Sequence, residues 1–320
     1  MDEEVLTYNG VVLKRSDLDL LSGPHYLNDC IIQFYFSYLT SQYDDRTLLV
    51  SPTISFWLAN SQNSEADFRD FEESHQLSKK QVVMFTVNDN EDTSQSDGGK
   101  HWSLLVYYRK SNTFVHYDSF GGFNSLVARK LYRAVKNCVA APATQAPTPA
   151  GTSSLVTHIS SKMGHKYYSK HLRRIINYPK KNMLVSFVIG YIFSKKYLRR
   201  FINYHPVKVC YALQKYIISN NGDDEETIDR DDDDDPWFRE ENVMPQQTNW
   251  YDCGLYMMAI ARVICEWYYD EERAEQEQQN CFLKDDRFPN ITKHLDNSLE
   301  YTMRSEMLRF IQHHIELKTN

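Results

Sequence analysis

The chain opens with two short apolar runs, Val5-Leu6-Thr7-Tyr8 and Val11-Val12-Leu13, separated by Asn9-Gly10. Asn-Gly tolerates the positive φ that both central positions of a tight hairpin turn require, so the pattern predicts a β-hairpin. From Asp29 to Tyr38 apolar side chains fall on nearly every side of a helical period, and Asn28 stands where an N-cap belongs; this predicts a buried helix. His101 to Tyr108 and Thr113 to Asp118 are β-branched and aromatic runs joined by the polar Arg109-Lys110-Ser111-Asn112, the pattern of two paired strands. Asn124 to Ala140 and Glu300 to Ile315 carry apolar residues at helical spacing and read as amphipathic helices. Leu255-Tyr256-Met257-Met258-Ala259-Ile260 is apolar throughout and reads as a buried helix. Together they predict an α+β chain in which helices flank a central sheet.

The strand pair decides which side chains can meet. With Lys110-Ser111 as a two-residue turn, Ser103 faces Asp118 and His101 lies one diagonal step from it; a four-residue loop keeps the same pairing. Residues two apart on a strand share a face, so His101 and Asp118 are expected on one face of adjacent strands. Their Cα atoms would then stand about 7 to 8 Å apart, a gap that an imidazole and a carboxylate bridge. A three-residue or bulged loop would put them on opposite faces.

That pairing changes the meaning of Cys253, which sits just before the apolar run in Gln247-Thr248-Asn249-Trp250-Tyr251-Asp252-Cys253-Gly254. At a helix N-terminus the unpaired backbone N–H groups and the positive end of the dipole favour an anionic side chain. A lone cysteine there is more often a small core residue. With a base and an orienting acid elsewhere it becomes a candidate nucleophile. His116 is a competing base, but it precedes the acid on the same strand and shows no separate orienting partner in the sequence, so it reads as structural. Asp17, Asp19, Asp29 and Asp89 show no comparable pairing with a histidine.

Composition narrows the class. A chain of 320 residues with 42% hydrophobic content can bury a full core. Cys30, Cys138, Cys210, Cys253, Cys265 and Cys281 form no C-x-x-C pair and no disulfide framework, which points to a reducing compartment, cytoplasmic or nuclear. Neither the cysteines nor the eleven histidines fall at zinc-ligand spacing, so no metal and no cofactor is expected. Met1-Asp2-Glu3-Glu4 is not the start of a signal peptide. The apolar stretch Met183 to Phe193 is eleven residues between lysine pairs, too short to span a bilayer, so no membrane association is expected.

The blocks GGKHWSLLVYY, HYDSF and QTNWYDCGLYM, in the order His, Asp, Cys, resemble the ubiquitin-like-protein-specific cysteine proteases, the Ulp or sentrin-specific group, and most of all its deneddylase branch. Tyr26-Leu27-Asn28-Asp29-Cys30-Ile31-Ile32 is similar to the group's N-terminal WLND-x-II motif, and Val82 to Asn90 to the strand before its histidine loop. The papain enzymes place Cys first and His later, so the chain order argues against them. The resemblance covers residues 1 to about 140 and 236 to 320. It implies an adenain-like variant of the papain-like fold with a central mixed sheet. It implies Cys253 as nucleophile, His101 as general base and then acid, Asp118 as the group orienting the imidazole, and Gln247, six positions before the cysteine, as the oxyanion-hole carboxamide rather than Gln246. It also implies a substrate: a ubiquitin-like modifier cleaved after its C-terminal Gly-Gly, NEDD8 first and SUMO or ubiquitin second, with conjugates such as cullins, acted on by a monomer.

A Gly-Gly tail has no side chains to grip and is best selected by a narrow aromatic tunnel. Trp102 is similar to one of the family's tunnel tryptophans, and Tyr26 stands where the family has a second. Asp29 and Asn88 complete the expected substrate-binding set. Asn88 to Gly99 is polar and turn-rich, and is expected to close over the tail with Gly98 and Gly99 as hinges. The competing classes are a SUMO protease, a binding module without catalysis, and an acetyltransferase; the intact His101, Asp118, Gln247 and Cys253 argue against the second, and the tunnel residues against the third.

Charge sets one segment apart. From Ser119 to Gly222 there are seventeen Lys and Arg and no acid, and from Asp223 to Asp235 ten acids and one arginine; removing +17 and −9 from the chain's −7 leaves −15 on the rest. A Pro, Ala and Thr linker, Ala141 to Thr152, opens this region, and Leu172 to Pro179 is duplicated at Leu198 to Pro206. The expected division is a catalytic domain in two parts, 1–140 with His and Asp and 236–320 with Gln and Cys, interrupted by an insertion at 141–235. A nucleic-acid arm, a tether folding back on the acidic core, and disorder or retained intervening sequence compete for the insertion, and its low-complexity borders favour the last over nucleic-acid binding.

Overall fold

Asn9 and Gly10 take φ of 45° and 82°, and the turn they form joins β1 (Glu4–Tyr8) to β2 (Val11–Lys14) with Tyr8 opposite Val11. This computed structural model describes residues 2–43, 45–60, 63–90, 92, 98–140, 235–276 and 288–319. All of these fall in one unit made of Met1–Ala143 and Leu213–Asn320. The expectations for residues 141–234, with the basic segment, the duplication and Met183 to Phe193, lie outside the described residues.

The short α1 (Arg15–Ser22) leads to α2 (Asp29–Gln42), where Asn28 caps the helix by accepting the Ile31 N–H at 3.1 Å. Ile31, Ile32, Phe34, Tyr35, Phe36 and Leu39 are buried, as the all-round apolar pattern requires. The helix runs past Tyr38 by one polar turn. Then come β3 (Thr47–Val50), α3 (Pro52–Asn60), α4 (Glu65–His75) and β4 (Val82–Asn88).

Strands β5 (Trp102–Tyr108) and β6 (Thr113–Tyr117) pair with Leu104 opposite Tyr117 and Tyr108 opposite Thr113. Arg109 to Ser111 form a 3-10 turn and Asn112 is left-handed at φ 47°, which makes the four-residue loop that preserves the expected pairing. The five-stranded sheet has the order β3-β4-β5-β6-β7, with β7 (Trp237–Glu241) parallel to β6, β3 parallel to β4, and the central pairs antiparallel. It is a mixed sheet in an α+β fold.

Both faces of the sheet are covered, so β5 and β6 are apolar in almost every position instead of alternating with polar ones. Leu104, Val106, Tyr108, Val115 and Tyr117 pack with the apolar faces of α2, α6 (Cys253–Gln276) and α7 (Leu299–Thr319). Leu105, Tyr107 and Phe114 pack on the other face with Leu58 of α3, Phe71 of α4, and Leu131 and Val135 of α5 (Ser125–Ala140). The join to β7 is fastened by Tyr132, whose hydroxyl donates to the Pro236 carbonyl at 2.7 Å, and by an ion pair between Lys136 and Asp235, the last residue of the acidic run. No helix among the described residues is long and apolar enough to cross a membrane.

Candidate active site

His101 immediately precedes β5 and Asp118 immediately follows β6, so the strand register delivers both side chains to the same end and face of the sheet. His101 Nε2 and Asp118 Oδ1 are 2.6 Å apart, and both residues are buried. The carboxylate also accepts the backbone N–H groups of Phe120 and Asn124, each at 2.8 Å. Burial alone would raise the Asp118 pKa, but the charge and hydrogen bond of His101, helped by His116 and the Asn124 N–H, hold it down at about 2. Burial likewise pulls the imidazole down, yet Asp118 and then Cys253 outweigh it and raise His101 to about 10. The two form an imidazolium–carboxylate ion pair across the neutral range.

With Nε2 engaged by Asp118, Nδ1 is the ring nitrogen left to donate to Cys253, which lies close enough to help raise the His101 pKa. Cys253 is the first residue of α6 and fully buried, with Sγ 3.8 Å from the Lys100 carbonyl oxygen. The first turn of α6 begins on the Asp252 carbonyl, which accepts the Leu255 and Tyr256 N–H groups. Gln247 is buried on the Asp118 side: its Oε1 accepts the Ser119 hydroxyl at 2.8 Å and its Nε2 donates to the Asn249 carbonyl at 2.7 Å. A carboxamide nitrogen carries two N–H groups, so one remains for a ligand. Gln246 has other tasks. Its Oε1 accepts the Gly121 N–H at 2.7 Å and braces the turn after Asp118.

The model of the Ulp1 protease family, C-terminal catalytic domain, matches residues 195–305. NEDD8-specific protease 1 of Arabidopsis thaliana is 29% identical over 295 residues, 92% of this chain and 89% of the relative. Sentrin-specific protease 8 of Homo sapiens is 40% identical over 135 residues, 41% of this chain and 62% of the relative, so less than two thirds of that protein's length is spanned. The chain is similar to the Ulp1 protease family in these comparisons. Among solved structures, the C-terminal Ulp1 protease domain in complex with Smt3, the yeast orthologue of SUMO, is 16% identical with a TM-score of 0.43, covering 98% of this chain and 87% of that one.

Of the four residues expected to bind substrate, three line one cavity of about 340 Å³: Trp102, Asp29 and Asn88. Trp102 is 7% exposed, and its indole N–H donates to the Leu27 carbonyl at 2.9 Å, so it is a fixed wall. Tyr26 stands apart from that cavity, 41% exposed, and close enough to Cys253 and Asp89 that their charges add to burial in raising its pKa. Residues 91 and 93–97 of the expected lid lie outside the described residues. The glycines closing that loop are accounted for without a hinge. A Cβ on Gly98 would meet the Asn90 side chain at 2.3 Å, and Gly99 has φ 81° with Asn88 Oδ1 1.9 Å from where its Cβ would stand.

His116 does have an acidic partner, contrary to the expectation from sequence. Its Nδ1 is 2.6 Å from Glu240 Oε2 and its Nε2 is 2.9 Å from the Ser103 hydroxyl. The side chain is wholly buried, so the pair is structural after all, and it ties β7 to the strands carrying His101 and Asp118. His116 and Ser103 are related by the same diagonal step as Asp118 and His101, so the register could have revealed the contact. Glu240 could not be found that way, because it arrives from β7.

Other supports were also missed. Asp89 Oδ1 accepts the N–H groups of Lys100 and His101 at 2.6 and 2.9 Å, fixing the backbone of the histidine. The Asn124 carboxamide donates to the His101 carbonyl and the Ser103 hydroxyl at 3.2 and 3.1 Å. Along one face of α7 and the turn before it, three side chains grip the Gln247 to Asp252 loop. Asn297 donates to the Gln246 carbonyl at 3.0 Å, Glu300 Oε1 accepts the Thr248 N–H at 2.6 Å, and Arg304 donates to Asp252 Oδ1 from Nη2 at 2.6 Å and Nε at 2.9 Å. Arg304 also donates to the carbonyls of Leu20 and His25 at 2.6 and 2.7 Å. The guanidinium thus joins the loop carrying Tyr26 to the residue before Cys253. Among the described residues no group of three or more His, Cys, Asp or Glu could hold a metal ion.

Proposed function

We propose that this chain is a cysteine protease that cleaves after the C-terminal Gly-Gly of a ubiquitin-like modifier, with NEDD8 as the preferred modifier and SUMO as the alternative. The observation that carries the reading is the 2.6 Å pairing of His101 Nε2 with Asp118 beside Cys253, the first residue of α6, which lies close enough to the same ring to help raise its pKa. In this reading Cys253 reacts as the thiolate paired with the His101 imidazolium: Sγ attacks the glycine carbonyl carbon, and the imidazolium gives its proton to the departing amine. The free N–H of Gln247 and the Cys253 backbone N–H receive the oxyanion. The name of one relative, NEDD8-specific protease 1, supports NEDD8 over SUMO. Conjugates such as cullins, a monomeric state and a cytoplasmic or nuclear location belong to the same proposal.

C-terminal electrophile probes built on NEDD8, ubiquitin and SUMO test it. The NEDD8 probe should label the wild-type protein one to one and leave Cys253→Ala unlabelled. Labelling by none of the three sinks the protease reading, and labelling mainly by SUMO promotes the alternative. Replacing Gln247 by Ala removes an oxyanion donor and should lower kcat by about 10² to 10³ with little change in KM. A fall in kcat of less than about threefold would remove Gln247 from the oxyanion site.

A further inference from the structure

The imidazole of His101 touches more than Asp118 and Cys253. The ring of Phe123 meets it edge-on with centroids 5.4 Å apart, and the ring of Phe120 lies tilted at 5.7 Å. Phe120 in turn is 5.9 Å from Phe123 and 5.3 Å from Trp250, so three aromatic rings form a continuous shelf that starts at the base. Phe123 is 48% exposed, a large apolar ring left half in water beside the most chemically loaded residue of the molecule. Its position is built. The Phe120 N–H is held by Asp118 Oδ1 and the Gly121 N–H by Gln246 Oε1, while Gly121 and Gly122 turn the chain at φ 62° and 76°.

The aromatic groups expected to enclose the modifier's tail are grouped elsewhere. Trp102 is bonded to the Leu27 carbonyl, Tyr26 precedes Leu27, and a Cβ on Gly254 would touch Leu27 at 3.2 Å. That leaves the shelf for the other half of the substrate. When the C–N bond breaks, the acyl group passes to Sγ and the leaving nitrogen takes its proton from His101, so that nitrogen must come within about 3 Å of the imidazole. Whatever carbon chain it carries then passes over the groups that ring touches.

We infer that Phe120, Phe123 and Trp250 form the leaving-group subsite, taking the methylene stem of the acceptor lysine and an apolar side chain beside it. The inference rests on the proposed protease function and adds the half of the substrate that the modifier does not supply. Methylenes bury against the rings, and the amine, once protonated, becomes an ammonium that a ring face attracts. Conjugates whose modified lysine has an apolar neighbour are the better substrates.

The test compares two substrates of the same modifier, a C-terminal methyl ester and an isopeptide to a lysine peptide with a leucine beside the lysine. In Phe123→Ser the ratio of kcat/KM for isopeptide over ester should fall about tenfold. Phe123→Leu should regain most of it. An unchanged ratio, or an equal loss on both substrates, overturns the subsite, the second outcome meaning that Phe123 only steadies the His101 ring. The C-terminal electrophile probe has no leaving-group side and separates the two levels. A wild-type protein that the probe fails to label overturns the protease reading itself, whereas normal labelling with an unchanged ratio overturns the subsite alone.

Discussion

Asp118→Asn should lower kcat/KM by about 10³ to 10⁴ and move the alkaline limb of the pH profile downward by several units. In the wild type the imidazolium survives to about pH 10 because Asp118 outweighs the effect of burial, so activity that needs the thiolate–imidazolium pair should be bell-shaped with its upper limb near that value. Without the carboxylate, burial is opposed by Cys253 alone and the limb should fall toward the ordinary imidazole value of about 6.5. Stability follows the same groups. His101, raised in the folded state, contributes stability that is complete below about pH 6.5 and lost as pH rises through about 10; Asp118, lowered, contributes above about pH 4 and loses that contribution as pH falls toward 2. A kcat/KM profile that is flat through the alkaline range, or an upper limb unmoved by Asp118→Asn, would contradict the ion pair.

Arg304→Met should be the most damaging single change to stability, at about 3 to 5 kcal/mol, because it strands the Asp252 carboxylate in a nearly dry site with only Asn249 to hold it. For a chain of this size that corresponds to a fall in Tm of roughly 6 to 20 °C. Turnover should drop as well, since Asp252 is the residue on which the Cys253 helix begins. Changing Asp252 to Leu in the same protein should recover part of the lost stability, because the uncompensated charge is then gone. A Tm within about 1 °C of the wild type for Arg304→Met would show that water replaces the guanidinium and that the clip is not needed.

What the sequence reveals depends on whether a local rule connects the residues. The Asn9-Gly10 hairpin, the Asn28 cap and the helix starting at Cys253 follow from turn and capping chemistry within a few positions. His101 and Asp118 could be paired because strand register converts a seventeen-residue separation into a diagonal contact. Strand β7 was not legible, since five residues ending Arg239-Glu240-Glu241 look like the tail of the acidic run that precedes them. Its place is fixed by pairing with β6, a long-range contact with no signature of its own. Helices α3 and α4 were passed over because each is short and partly polar, although Pro52 and the Ser64–Asp67 capping box mark their starts. The supports of the site were hidden for a third reason. Asp89, Asn124, Asn297 and Glu300 act through side chain to backbone bonds, which impose no periodicity. The glycines at 98 and 99 were read as freedom to move, when the crowding by Asn88 and Asn90 makes them a requirement of close packing.

The position of β7 bears on how the chain is made. Strand β6 leads directly into Asp118 and, in the finished sheet, is closed along one side by β7. During synthesis roughly a hundred residues separate the end of α5 from that strand. At ordinary elongation rates this leaves the β6 edge open for about 5 to 20 s after the first 140 residues have emerged. An apolar strand with a bare edge is a template for pairing with another chain. The nascent protein therefore passes through an interval in which it holds His101 and Asp118 but not Cys253, and in which a crowded polysome is its main hazard.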